Sequence, residues 1–229
     1  MQNSQLNQQN HKELVHGEGK PTHAVIWLHG LGASCDDFPP VVPHLGLAPT
    51  PAIRFIFPQA PDRAITINNG IVMPGWYDIK GSELSDREDL PGMTESQATL
   101  NDLIDQQIAQ GINSKNILIA GFSQGGAVAY FTAIRSQHSL AGVLAMSTYI
   151  PFGDQTEKEA SDINKNMPIL AMHGTHDPVV PIDMGKNSAD LLSKLGYPVQ
   201  WKTYAMDHSV NMTQIEDIGK WINTLITPQ

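Results

Sequence analysis

Cysteine is nearly absent from this sequence. Cys35 stands alone, so no intrachain disulfide can form and the fold must hold by packing. A single unpaired thiol fits a reducing compartment. Basic residues are also scarce: 14 Lys and Arg face 23 Asp and Glu, a formal net charge of −9. That balance excludes nucleic-acid recognition through a basic face and electrostatic docking on anionic lipid, although a small apolar contact with a membrane stays compatible with it. No apolar run approaches the roughly 18 residues a membrane span requires; the longest, such as Ala24–Leu28, are strand-sized. The first ten residues, Met1 to Asn10, are polar and lack the basic-then-apolar order of a secretory leader. These features predict a soluble, cytoplasmic chain.

What is present suits one globular domain. The 229 residues are 41% hydrophobic, enough for a sizeable core, and 19 Gly with 16 Pro exclude collagen-like and wholly disordered classes. Residues 1–20, rich in Gln, Asn and Gly, read as a flexible arm before a single domain over 21–229. Short β-branched runs at Ala24–Leu28, Ile53–Phe57, Ile117–Ala120, Gly142–Met146, Pro168–Met172 and Val199–Tyr204 alternate with helical patterns. Several runs are apolar on both faces, as strands buried between two helical layers would be. Thr94-Glu95-Ser96-Gln97 reads as a capping box ahead of Leu100, Leu103, Ile104 and Ile108, with Gly111 as the stop. Further helices fit 184–195 and the Ile215, Ile218, Ile222, Leu225 series. The alternation predicts an α/β fold with a mostly parallel sheet and helices on both faces. Residues 58–93 interrupt it as a long insertion, read as a flap over an apolar groove; its acidic run Glu83–Asp89 reads as a solvated face.

The sharpest feature is Gly121-Phe122-Ser123-Gln124-Gly125, a G-x-S-x-G directly after a strand and before a helix. A nucleophile elbow has that context, with small residues flanking a strained serine near a helix N-terminus. A serine needs a base, and the base needs an orienting acid, in the chain order Ser, Asp or Glu, His. His138, His173, His176 and His208 lie beyond Ser123. Asp177 follows the strand ending at Met172, at the sheet edge where such sites form, and only His208 comes after it. Ser123, Asp177 and His208 are therefore the self-consistent triad. Asp183 suits a helix cap, Asp207 adjoins His208, and Asp154 and Asp162 have no strand before them. His173, His176 and Asp177 make only a partial metal cluster, and no metal or cofactor is expected. The oxyanion donors are assigned to the backbone of Gln124, after the nucleophile, and of Leu31, in the glycine-flanked loop after an early strand.

These pieces recur together. Leu28-His29-Gly30-Leu31-Gly32, Phe57-Pro58-Gln59-Ala60-Pro61, Pro74-Gly75-Trp76-Tyr77-Asp78, the elbow with Gly126, His173-Gly174 with Asp177-Pro178-Val179-Val180-Pro181, and Asp207-His208-Ser209 resemble the acyl-protein thioesterase and lysophospholipase-like carboxylesterases, the bacterial carboxylesterases most closely. The resemblance runs from about residue 20 to the C-terminus. It implies an α/β-hydrolase fold without a large cap domain and hydrolysis of carboxylic esters or thioesters, including acyl chains on lipids or protein cysteines. It further implies an acyl groove lined by Met73, Trp76, Val179 and Val180, and a weak homodimer. Gly75 stands where many members have Ser, which would loosen the flap, and Tyr149 stands where eukaryotic relatives carry Trp. A catalytically silent hydrolase fold that binds an acyl ligand or partner protein is the alternative; the complete triad, in order, argues against it.

Overall fold

The strands form where apolar residues occupy both faces of the chain. The structure, a computed structural model, describes residues 11–81, 83 and 85–226. In chain order the strands are β1 (His11–His16), β2 (His23–Leu28), β3 (Ile53–Pro58), β4 (Asp62–Ile65), β5 (Ile71–Pro74), β6 (Ile117–Phe122), β7 (Gly142–Met146), β8 (Ile169–Gly174) and β9 (Val199–Tyr204). The helices are α1 (Leu90–Ala109), α2 (Gln124–Arg135), α3 (Gly153–Glu159), α4 (Ile182–Lys194) and α5 (Met212–Ile226). Among the described residues a seven-stranded sheet runs β1-β3-β2-β6-β7-β8-β9, parallel except for β1.

Alternate residues of each strand feed two cores. Ile26 and Leu28, Ile119, Val143 and Ile169 pack beneath α1, α2 and α4. Val25 and Trp27, Leu118, Leu144 and Leu170 pack against α5 and the short helical segment Pro39–His44. Burial on both sides requires strands without a polar face, and this is why the central runs are continuously apolar.

Three details differ from the sequence reading. The sheet begins within the expected arm: β1 pairs antiparallel with β3 from His11↔Pro58 to His16↔Ile53, covering its open edge. The first ten residues of that arm lie outside the described residues. α1 starts at Leu90, before the capping box, because Pro91 suits a first turn; the Thr94 hydroxyl donates to the Leu90 carbonyl inside the helix (2.8 Å). The insertion 58–93 is built around the hairpin of β4 and β5. Gly75 is anchored there, its N–H donating to the Pro61 carbonyl and its own carbonyl accepting from Arg63 Nε. Among the described residues no separate cap domain is present.

Gly219 marks a close approach of α5 to the end of the short helical segment Pro39–His44, since a Cβ there would fall on the Leu45 carbonyl oxygen. Backbone cannot yield as a side-chain tip can. Gly219→Ala is expected to cost roughly 3 kcal/mol and lower Tm by about 6–12 °C. A thermal melt that matches the parent would show that α5 shifts freely.

Candidate active site

The position of Ser123 follows from a turn made within one residue. β6 ends at Phe122, Ser123 adopts φ 54° and ψ −121°, and α2 begins at Gln124. Such a backbone is costly for a residue with a Cβ and holds only where its surroundings over-determine it. Here the Ser123 N–H donates to the Met146 carbonyl (2.9 Å) and its carbonyl accepts from Thr148 Oγ1 (2.7 Å). The glycines are steric requirements: a Cβ at Gly121 would strike the Gly125 carbonyl, and one at Gly125 would lie 2.5 Å from the His29 carbonyl oxygen.

Parallel register then brings the other groups alongside. β6 pairs with β7 up to Phe122↔Met146, and β8 with β9 up to Gly174↔Tyr204, so the loops leaving these strands share one edge. Asp177 leaves β8 and His208 leaves β9. His208 Nε2 lies 2.8 Å from Ser123 Oγ, and Nδ1 lies 2.7 Å from Asp177 Oδ2. The Asp177 side chain is fully buried, and its other oxygen accepts the N–H groups of Val179 (2.9 Å) and Val180 (2.8 Å). A carboxylate so satisfied stays aimed at the imidazole. The Phe122 ring supports that imidazole, centroids 4.7 Å apart.

His173 does not turn outward to form a metal cluster with His176. It is buried, its Nε2 donates to the Val180 carbonyl (2.9 Å), and it lies 3.5 Å from Asp177 Oδ2, so it braces the acid's loop. His29 braces the other side. Its Nδ1–H donates to the Gly30 carbonyl (2.7 Å) and its Nε2 accepts from the Ala60 N–H (3.1 Å), which sets the tautomer.

A cleft of about 360 Å³ opens beside Ser123, and Leu31, Gln124, Val179, Val180 and His208 are among the residues that line it. Among the described residues neither the Leu31 nor the Gln124 N–H has a protein acceptor. Trp76 is not part of the wall. It is buried as scaffold, its indole Nε1–H donating to the His29 carbonyl (2.8 Å), with its own N–H donating to Gln124 Oε1 (2.8 Å). Met73 also lies outside the lining; its sulfur accepts from Asn68 Nδ2 (3.4 Å) behind it. Tyr77, Tyr149 and Arg87 also line the cleft. Tyr149 and, within the Pro74–Asp78 motif, Tyr77 are singled out in the sequence without being assigned to the wall; Arg87 was missed, although a lone cation inside an acidic run is a signal that could have found it. That run is not a solvated face: Arg87 is buried, Glu88 Oε1 accepts the Phe152 N–H (2.7 Å) and Asp89 Oδ2 accepts the Asp78 N–H (2.9 Å).

A serine on a strand–helix elbow, bonded to an imidazole that is bonded to a buried carboxylate at the edge of a parallel sheet, defines a serine hydrolase of the α/β-hydrolase class. The sequence profile of the phospholipase/carboxylesterase family matches residues 9–226, and the chain belongs to that family. It is 35% identical over 219 residues to acyl-protein thioesterase 1 of Gibberella zeae, covering 91% of this chain and 92% of that one. It is 37% identical over 220 residues to acyl-protein thioesterase 1 of Neurospora crassa, covering 91% and 89%. Among solved structures, Arabidopsis thaliana SOBER1 superposes with a TM-score of 0.84 at 29% identity, covering 90% of this chain and 99% of that one. Zea mays acyl-protein thioesterase 2 shares the fold, with a TM-score of 0.82 at 24% identity over 94% and 99% of the chains. The protein is a hydrolase of ester or thioester bonds. Among the described residues no helix is long and apolar enough to cross a membrane.

Burial holds the His173 and His29 imidazoles below the usual histidine value of 6.5. Both are neutral in the fold, whereas the unfolded chain takes up protons as the pH drops below 6.5. The stability they contribute is complete above that value and is lost as the pH falls toward their folded pKa values. Tm is therefore expected to fall between about pH 7 and pH 5. His173→Gln, which keeps a donor for the Val180 carbonyl, should lose part of that slope. Melts of equal slope for the two proteins would remove His173 from the account.

Proposed function

We propose that Ser123 attacks the acyl carbonyl of an ester or thioester while His208 takes its proton and Asp177 fixes the imidazole tautomer. The observation that carries this reading is the unbroken chain from Ser123 Oγ through His208 to the buried Asp177. The N–H groups of Leu31 and Gln124 hold the tetrahedral oxyanion, in a cleft whose lining includes both residues. The alcohol or thiol leaves with a proton from His208. Water, deprotonated by the same histidine, then releases the acid and restores Ser123. Acyl chains on lipids or on protein cysteines are the substrates this reading favours, met in the cytoplasm, where Cys35 stays reduced. Ser123→Ala should lower kcat by about 10⁶-fold. Turnover within tenfold of the parent would mean that another group is the nucleophile.

A second element of the reading concerns where acyl chains are met. Ile67, Ile71 and Val72 on the β4–β5 hairpin and Val179 at the cleft are exposed apolar side chains, and Ile67 and Val179 also line the cleft. At a net charge of −9 such a patch touches neutral rather than anionic lipid. Replacing Ile71 and Val72 together by serine should reduce co-sedimentation with phosphatidylcholine vesicles and raise KM for long-chain esters more than for short ones. Unchanged sedimentation would count against a lipid contact through the hairpin.

A further inference from the structure

The cleft beside Ser123 is apolar along Ile67, Ile79, Val179 and Val180, yet Tyr77, Tyr149 and Arg87 also line it. The two tyrosine hydroxyls lie 2.8 Å apart, and their residues are 0% and 2% exposed. Two hydroxyls carry two protons, and their mutual bond uses one. The other proton has no acceptor among the described residues. Burial pushes the Tyr149 hydroxyl up to about 12 and the Tyr77 hydroxyl well above its ordinary range, so both stay protonated at neutral pH. That proton is already unpaired and stays so beside a hydrocarbon chain, whereas an oxygen acceptor reaching the pair would complete its bonding and gain free energy.

The charges nearby narrow the acceptor further. The Arg87 guanidinium lies 5.9 Å from the centroid of the Tyr149 ring and donates to the Val179 carbonyl (3.1 Å), so its positive field favours an oxygen at the hydroxyl pair. Glu88 and Asp89 stand close enough to oppose it, and Asp37 lines the same cleft. A full negative charge gains little there, whereas an uncharged carbonyl or hydroxyl oxygen is accommodated. Both tyrosines are hung from the elbow itself. The Tyr77 carbonyl accepts from Gln124 Nε2 (2.6 Å), and Thr148, the neighbour of Tyr149, holds the Ser123 carbonyl. The hydroxyl pair therefore stands at a fixed reach from Ser123 Oγ.

We propose that the Tyr77–Tyr149 hydroxyl pair selects acyl chains bearing an uncharged oxygen, a keto or hydroxyl group, at one set distance from the scissile carbonyl. This rests on the reading that Ser123 receives its acyl group from this cleft. The test is acid release from ethyl esters in matched pairs, each straight alkanoate against its oxo analogue, over chains of four to eight carbons. At one chain length the oxo ester should exceed its alkanoate roughly tenfold in kcat/KM. The ratio should fall to about one in the Tyr77→Phe, Tyr149→Phe double variant. Equal kcat/KM within every pair, or a preference that survives in the double variant, would overturn the proposal while leaving the Ser123 mechanism standing. Should the double variant fail to fold, competitive inhibition of the parent protein by the free acids decides the matter, and equal constants for oxo and plain acids overturn it. If the parent hydrolyses no member of any pair, offered as ethyl ester or as ethyl thioester, the reading of Ser123 fails and the proposal fails with it.

Discussion

Everything at this site depends on the chain reversing from strand to helix at Ser123. With φ at 54° the residue occupies a conformation that costs roughly 1–3 kcal/mol, and the surrounding structure has to offset that cost. It does so by leaving no alternative. Gly126 and Ala127 donate to the Ser123 carbonyl from α2, Thr148 donates from the neighbouring strand's loop, and the Ser123 N–H is held by Met146. The glycines at 121, 125 and 126 bring strand, helix and loop to distances that no Cβ would allow. The strain and the close packing are the same fact seen from two sides. Relaxing either would move Oγ away from His208.

Gln124 extends this rigidity outward. The residue lines the cleft, while its side-chain amide pairs with the chain at 76–77, accepting from Trp76 and donating to Tyr77. Trp76 in turn reaches the His29 carbonyl, and Ser96 of α1 donates to the Trp76 carbonyl (2.5 Å). One buried residue thus links the elbow, the loop after β2 and the first helix. Both expected oxyanion donors, Leu31 and Gln124, sit in backbone fixed by this link. The segment around Trp76 consequently behaves as scaffold at its base, while its hairpin carries the exposed apolar residues.

The legible features were those in which one residue type answers one physical demand. Doubly apolar, β-branched runs could only be strands covered on both faces, and Ser123, Asp177 and His208 could be ordered because each follows a strand of one parallel sheet. Other features depend on partners distant in sequence. β1 reads His11-Lys12-Glu13-Leu14-Val15-His16 with an irregular burial pattern, and its place at the edge comes from backbone bonds to β3 that no side-chain period announces. α3, short and polar, is entered through Phe152 at φ 52°, with Phe152 rather than the helix supplying most of the packing. The family resemblance assigns Trp76 to the groove wall, and nothing in the sequence itself distinguishes a lining tryptophan from a scaffold one. Only the His29 carbonyl waiting for its indole N–H decides the matter. Arg87 was hidden by the acids around it, although Glu88 and Asp89 are occupied by backbone N–H groups of other segments.

The same linkage joins chemistry to selectivity. Val179 and Val180 each donate to Asp177 through the backbone and line the cleft, and the Val180 carbonyl is the acceptor for His173. Tyr77 and Tyr149 also line the cleft; the Tyr77 carbonyl holds the Gln124 side chain, and Thr148, next to Tyr149, holds the Ser123 carbonyl. The cleft is thus walled by the segments that hold Asp177 and Ser123 in place. Under the proposed mechanism, a change in wall shape must displace their backbone as well, so substrate fit and turnover are not tuned independently through these residues. The hairpin edge at Ile71 and Val72, which touches neither catalytic group, is the part of the mouth left free to vary.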